Sequence, residues 1–255
     1  MQYALFAGAA TGLSYIYMRL MQASKYVGEL SSAKVFVRDN NRLSMVLSFL
    51  YAFVASLMFM RIFSWQLIFL LLPAGGISLL YPIVFDHPAR AYTSLRTLPG
   101  LKIFLISIVW VYVTYLIPEM VWYGFDLTDL PEAFCRMLFV IALTIPFDIR
   151  DMEKDDARLR TLPQMLGAEG SLQLSKAFVV LYQIWVIISY TLGHRDIWEM
   201  FTWLLGLELA SFLLKRVSKN ATDGYVSFYI EGVPIFISIL MGGVLFVEVL
   251  YFNLQ

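Results

Sequence analysis

Cysteine, histidine and charge are all scarce in this 255-residue sequence. The one cysteine, Cys135, excludes an intrachain disulfide framework, and its apolar surroundings read as packing. The two histidines, His87 and His194, stand far apart, and neither has a second His or a Cys beside it, so no zinc-ligand spacing is present. Charged residues make up 15% of the chain, and 19 basic groups balance 19 acidic ones. A net charge of zero gives no electrostatic case for nucleic acid. There is no repeat and no low-complexity tail. The apolar run from Ala4 to Met18 lacks the basic stretch that precedes the core of a cleavable signal peptide.

What the chain has instead is apolar surface. Hydrophobic residues reach 60%, aromatic residues 16%, and mean hydropathy is +0.71. A soluble domain is about a quarter charged and roughly half apolar. The composition therefore predicts an all-α integral membrane protein, a polytopic bundle forming a single domain over residues 1–255. Eight apolar segments are long enough, at roughly 15–22 residues, to cross a bilayer as helices. They run approximately 3–22, 45–62, 65–85, 101–118, 133–147, 174–192, 197–214 and 231–251. Pro146 is expected to break the fifth of these just before a charged stretch.

Sixteen of the 19 basic residues fall on one side of that topology: Arg19, Lys25, Lys34, Arg38, Arg42, Arg90, Arg96, Lys102, Arg150, Lys154, Arg158, Arg160, Lys176, Lys215, Arg216 and Lys219. Only Arg61, Arg136 and Arg195 fall on the other. The positive-inside rule makes the first set cytoplasmic and leaves both termini outside, in a cell (inner) membrane. The opposite segment, 119–132, carries Glu119, Asp126, Asp129 and Glu132 and reads as an ordinary acidic exterior loop. Trp122, Tyr123 and Trp198 suit an interfacial belt, whereas Trp185 and Trp203 lie deeper and suit either belt or packing. Small residues around Gly8, Gly12, Gly75 and Gly76 suit close helix packing.

One stretch breaks the apolar pattern. Asp148, Arg150, Asp151, Glu153, Lys154, Asp155, Asp156, Arg158 and Arg160 fall within 13 residues. Asp148, Asp151 and Asp155 are spaced i, i+3, i+7 and would share one helical face. Three carboxylates on one face repel unless a cation lies between them. Mg2+ takes a carboxylate or two plus the phosphates of a substrate, and Arg158 and Arg160 can hold phosphate directly. The plainer reading is a solvated loop at the membrane face. Glu208 lies in the middle-to-inner part of a span, where a charge costs about 2.5–3.5 kcal/mol. It calls for a partner or a polar cavity. Glu231, at the start of the last span, can be solvated, and Arg19 can snorkel or turn inward.

The run Asp148-Ile149-Arg150-Asp151, with Asp155 four on, then Arg160-Thr161-Leu162-Pro163 and Leu166-Gly167, resembles the second aspartate-rich motif of UbiA-type intramembrane prenyltransferases. Leu80-Tyr81-Pro82 and Leu98-Pro99-Gly100-Leu101-Lys102 are similar to that family's segment between its fourth and fifth helices. The resemblance implies a helical bundle around a central cavity, here about eight helices rather than nine, one being absent at the amino terminus. It implies that Mg2+ on Asp148, Asp151 and Asp155 binds a prenyl diphosphate, with Arg19, Arg90, Lys102, Arg158 and Arg160 neutralising phosphate. It implies transfer of the prenyl group to an aromatic or other lipophilic acceptor. The family's first aspartate motif has no counterpart, because Ser14-Tyr15-Ile16-Tyr17-Met18-Arg19-Leu20-Met21 holds no carboxylate. That departure leaves a non-catalytic lipid- or isoprenoid-binding protein on the same bundle as the alternative. A small transporter using Glu208 ranks below both, since no inverted repeat or paired broken helix is visible.

Overall fold

A computed structural model describes residues 1–25, 40–81, 101–152, 160–217 and 224–253. Those residues form eight helices and no strand: α1 (Gln2–Lys25), α2 (Asn41–Ile62), α3 (Trp65–Leu80), α4 (Leu101–Val111), α5 (Leu130–Asp151), α6 (Leu162–Thr191), α7 (Ile197–Leu214) and α8 (Glu231–Asn253). Wider π turns extend α4 as far as Tyr123 and lead into α8 from Tyr225. Six helices are long and apolar enough to cross a membrane: Asn41–Ile62, Leu101–Tyr123, Leu127–Asp151, Leu162–Thr191, Ile197–Leu214 and Tyr225–Val244. α3 is apolar but has 16 residues, and α1 has the length without matching the six.

The chain divides into two compact units. The first comprises Met1–Lys102 and Ile108–Asp126, the second Ile103–Ser107 and Leu127–Gln255. In the first, α1 packs along α2. The Tyr51 ring lies against Gly12, so closely that an added Cβ would come within 2.9 Å of it. Gly8, Gly75 and Gly76 have open space instead, so only Gly12 acts as the small-residue contact expected of them. Tyr3 donates to the Val113 carbonyl at 2.6 Å and its ring meets Trp122 at 5.0 Å. Tyr112 donates to the Leu70 carbonyl at 2.7 Å.

In the second unit α5 packs along α6, α6 along α7 and α7 along α8, and together they bury Ile141, Ile145, Val179, Val186, Leu207 and Val233. α5 does not stop at Pro146; it runs on to Asp151. Proline has no N–H to give the carbonyl of residue 142, four positions back. The Ser175 hydroxyl, fully buried on α6, donates to that Ala142 carbonyl at 2.7 Å and satisfies it. A tertiary hydrogen bond thus replaces the missing helical one, and the expected break does not occur. Ser175→Ala leaves a buried acceptor bare and is expected to cost about 1–3 kcal/mol. Thermal unfolding in detergent measures it, and a melting temperature equal to that of the parent would show that the bond does not support α5.

Of the segment expected as a loop over 148–173, the described residues are mostly helical: α5 runs to Asp151 and α6 starts at Leu162. α6 begins at Leu162, with the Thr161 backbone N–H donating to Gln164 Oε1 at 3.0 Å, and it kinks at Gly167, whose φ of 73° is left-handed and suits glycine. Arg160, at φ 44°, takes the same region with a side chain, a strained position immediately before the helix. At its other end α6 closes on Gly193 (φ 77°): the Gly193 N–H reaches the Tyr190 carbonyl at 3.0 Å and the His194 N–H the Ser189 carbonyl at 2.9 Å. Two residues later the Asp196 carboxylate caps α7 by accepting from the Glu199 N–H at 2.8 Å. Arg195 is pinned between these two caps, which fixes where its side chain can go.

Candidate functional site

Asp148 and Asp151 occupy the last two turns of α5, one helical turn apart. Asp148 is only 2% exposed, although the helix ends three residues later, at Asp151. Asp151 is half-buried, and both of its oxygens accept from Arg150, at 2.8 Å from Nε and 2.9 Å from a terminal nitrogen. Such a two-pronged fork is a strong way to hold a carboxylate. The Arg150 guanidinium also lies 5.3 Å from the Phe147 ring. Asp155, Arg158 and Arg90 lie outside the described residues. Among the described residues no three His, Cys, Asp or Glu side chains gather as a metal site. Two carboxylates one turn apart are the oxygen donors Mg2+ prefers, and substrate phosphates commonly complete its coordination.

The remaining expected residues fall on both units. Arg160 is exposed at the foot of α6, on the unit that holds Asp148. Arg19 and Lys102 belong to the first unit. Arg19 is half-buried, donates to the Tyr15 hydroxyl at 2.8 Å and stacks on the Tyr15 ring at 4.8 Å, so its nearest partner is one turn back on its own helix. Lys102 is half-buried in the first turn of α4. Glu208 is exposed and accepts one hydrogen bond, from Gln183 Nε2 at 3.3 Å. Glu231 is exposed at the start of α8.

Among the described residues, a buried cluster of ion pairs lies where the sequence suggested a bland loop. Glu132 is not solvated: it is in the first turn of α5 and is 7% exposed. Pro131 starts the helix, and the next residue turns its carboxylate into the second unit. Its Oε1 accepts from Arg136 Nε at 2.6 Å and from the Tyr182 hydroxyl at 2.8 Å. Its Oε2 accepts from Trp185 Nε1 at 2.8 Å and from an Arg195 terminal nitrogen at 2.5 Å. Arg195 Nε in turn donates to Ser189 Oγ at 2.8 Å. Both guanidiniums lie over the Trp203 ring, Arg136 at 5.0 Å and Arg195 at 5.6 Å from its centre. Trp203 and Tyr182 are 5.1 Å apart, with Phe139 edging both. Trp185 and Trp203 are thus packing residues, not belt residues.

One carboxylate between two guanidiniums, with all four of its lone-pair directions used, is a buried ionic hub joining α5, α6, α7 and the turn between the last two. Burial works against the charge on Arg195, but the Glu132 carboxylate more than reverses this, and its pKa moves upward. The hub has a sequence signal that local patterns do not weigh. Glu132 and Arg136 are spaced i, i+4, and Arg136 and Arg195 are two of the three basic residues on the side poor in positive charge. Comparison with known proteins adds no name to either site: no family model, no curated protein and no solved structure matches this chain.

Proposed function

We propose that this protein is a divergent UbiA-like intramembrane prenyltransferase, moving a prenyl group from a prenyl diphosphate to an aromatic or lipid acceptor. The observation that carries the reading is Asp148, a carboxylate 2% exposed at the end of a membrane-crossing helix, with Asp151 one turn beyond it. Placing carboxylates against apolar protein is costly unless a function or a partner requires them. The residues that follow, from Arg160 through Pro163 to Gly167, carry the rest of the family-like run and fold back at once into the next helix.

In this reading the basic loops are cytoplasmic, and a cavity in the bundle holds the prenyl tail away from water. Asp148, Asp151 and Asp155 would hold Mg2+, which would supply charge neutralisation to the diphosphate. Arg158 and Arg160, which belong to the same unit as these carboxylates, would add hydrogen bonds to phosphate oxygens. The carbon–oxygen bond to the diphosphate breaks and pyrophosphate leaves with the electron pair. The acceptor bonds to the allylic carbon and gives up a proton. The protein's main contribution is a preorganised field for the departing charge.

A second reading has its own observation. The Arg150 fork occupies both oxygens of Asp151, which suits a chain that binds an isoprenoid lipid without reacting with it. One experiment separates the two. Purified protein is melted with and without a prenyl diphosphate, in the presence and in the absence of magnesium, then incubated with labelled diphosphate and membrane lipid extract. The transferase reading expects magnesium-dependent stabilisation and release of pyrophosphate. Stabilisation without release gives the binding protein, and no stabilisation rejects the transferase.

A further inference from the structure

Helix α7 has two opposite stripes. Trp203, Leu207, Ala210 and Leu214 are buried in the core of the second unit. Phe201, Leu205, Glu208 and Phe212 are all exposed. Their spacing of i, i+4, i+7, i+11 keeps the four on one line along the helix. Three of them are large apolar side chains suited to hydrocarbon; the carboxylate among them is not. Glu208 lies six residues before the helix ends at Leu214, about 9 Å at 1.5 Å per residue, so it is at hydrocarbon depth.

Gln183 of α6 is the group that meets it, through one amide hydrogen. Among the described residues the second amide hydrogen, Gln183 Oε1 and Glu208 Oε1 make no further hydrogen bond. The pair therefore presents a donor and acceptors side by side on an otherwise apolar face. We propose that this face is where a second copy of the chain docks, with the Gln183–Glu208 pairs of the two copies meeting about a two-fold axis. The patch is self-complementary. The spare amide hydrogen of each Gln183 reaches the Glu208 carboxylate of the other copy, closing a ring of four side chains. An isologous contact of this kind stops at a dimer. Polar side chains crossing between helices are a common adhesive inside membranes, where lipid offers no competing partner.

The test uses the full chain in phospholipid vesicles, with Cys135→Ala and Leu205→Cys introduced. Leu205 is on the exposed stripe one turn from Glu208, so a short bis-maleimide should join two copies. Dimer cross-linking is expected across protein-to-lipid ratios. Gln183→Leu with Glu208→Leu should weaken dimerisation by about tenfold or more, since the two hydrogen bonds between the copies are lost. Glu208→Gln keeps donors and acceptors and should retain the dimer. Both changes lie on an exposed face, and an unchanged helical circular-dichroism signal shows that each variant is folded. A monomer at every ratio overturns the proposal, whether lipid or another part of the same chain covers the stripe. A dimer that survives the double leucine substitution, or is lost with Glu208→Gln, overturns it equally.

Discussion

Glu132→Gln is expected to destabilise the protein by about 3–5 kcal/mol, the range for removing one partner of a buried ion pair. The carboxylate is 7% exposed and accepts from four donors. A neutral amide of the same shape leaves Arg136 and Arg195 facing each other over Trp203 with no anion between them. It also turns a hydrogen-bond donor toward groups that are themselves donors. At roughly 2–4 °C per kcal/mol for a chain of this size, the melting temperature should fall by on the order of 10 °C. Replacing Glu132, Arg136 and Arg195 together by leucine or methionine should recover much of that loss, because no buried charge is then left uncompensated. A Glu132→Gln protein that melts within a degree or two of the parent would show that the hub is not structural.

Asp148→Asn is expected to remove magnesium-dependent stabilisation by a prenyl diphosphate and to lower transfer on the order of a hundredfold or more, the scale seen when one electrostatic group is taken from a reacting site. The substitution keeps the shape and removes the charge of the most buried carboxylate at the proposed diphosphate site. The reading is the ligand-induced shift, referred to the variant's own melting temperature without ligand. Any change in fold stability therefore cancels. An undiminished shift in the variant would leave Asp148 as a structural residue and would withdraw its role in holding diphosphate.

The two substitutions probe opposite kinds of legibility. Asp148 and Asp151 stand out in the sequence because they interrupt an apolar run, and their spacing already places them one helical turn apart. The chain's membrane character was equally plain, since runs of apolar residues of bilayer length have few other uses. Helix starts and stops were written locally: Ser64 before α3, Gln164 in the first turn of α6, Gly193 after α6 and Asp196 before α7 each act on backbone groups a few residues away.

Other features depended on groups far apart in the chain. Pro146 read as a helix breaker because the rule for proline is local; the structure overrides it with a hydroxyl 33 residues away from the Ala142 carbonyl. Glu132 read as a loop carboxylate because its neighbours in sequence are acidic and polar. Its actual partners include Tyr182, Trp185 and Arg195, all on or beyond another helix. Glu208 looked like a group in search of a cavity, and its recorded partner is an amide on α6. Local pattern fixes what the backbone and the surrounding lipid require of each segment. Whether a buried polar group is satisfied depends on which donors folding brings within 3 Å, and for Glu132, Ser175 and Gln183 only the packing of α5, α6 and α7 decided that.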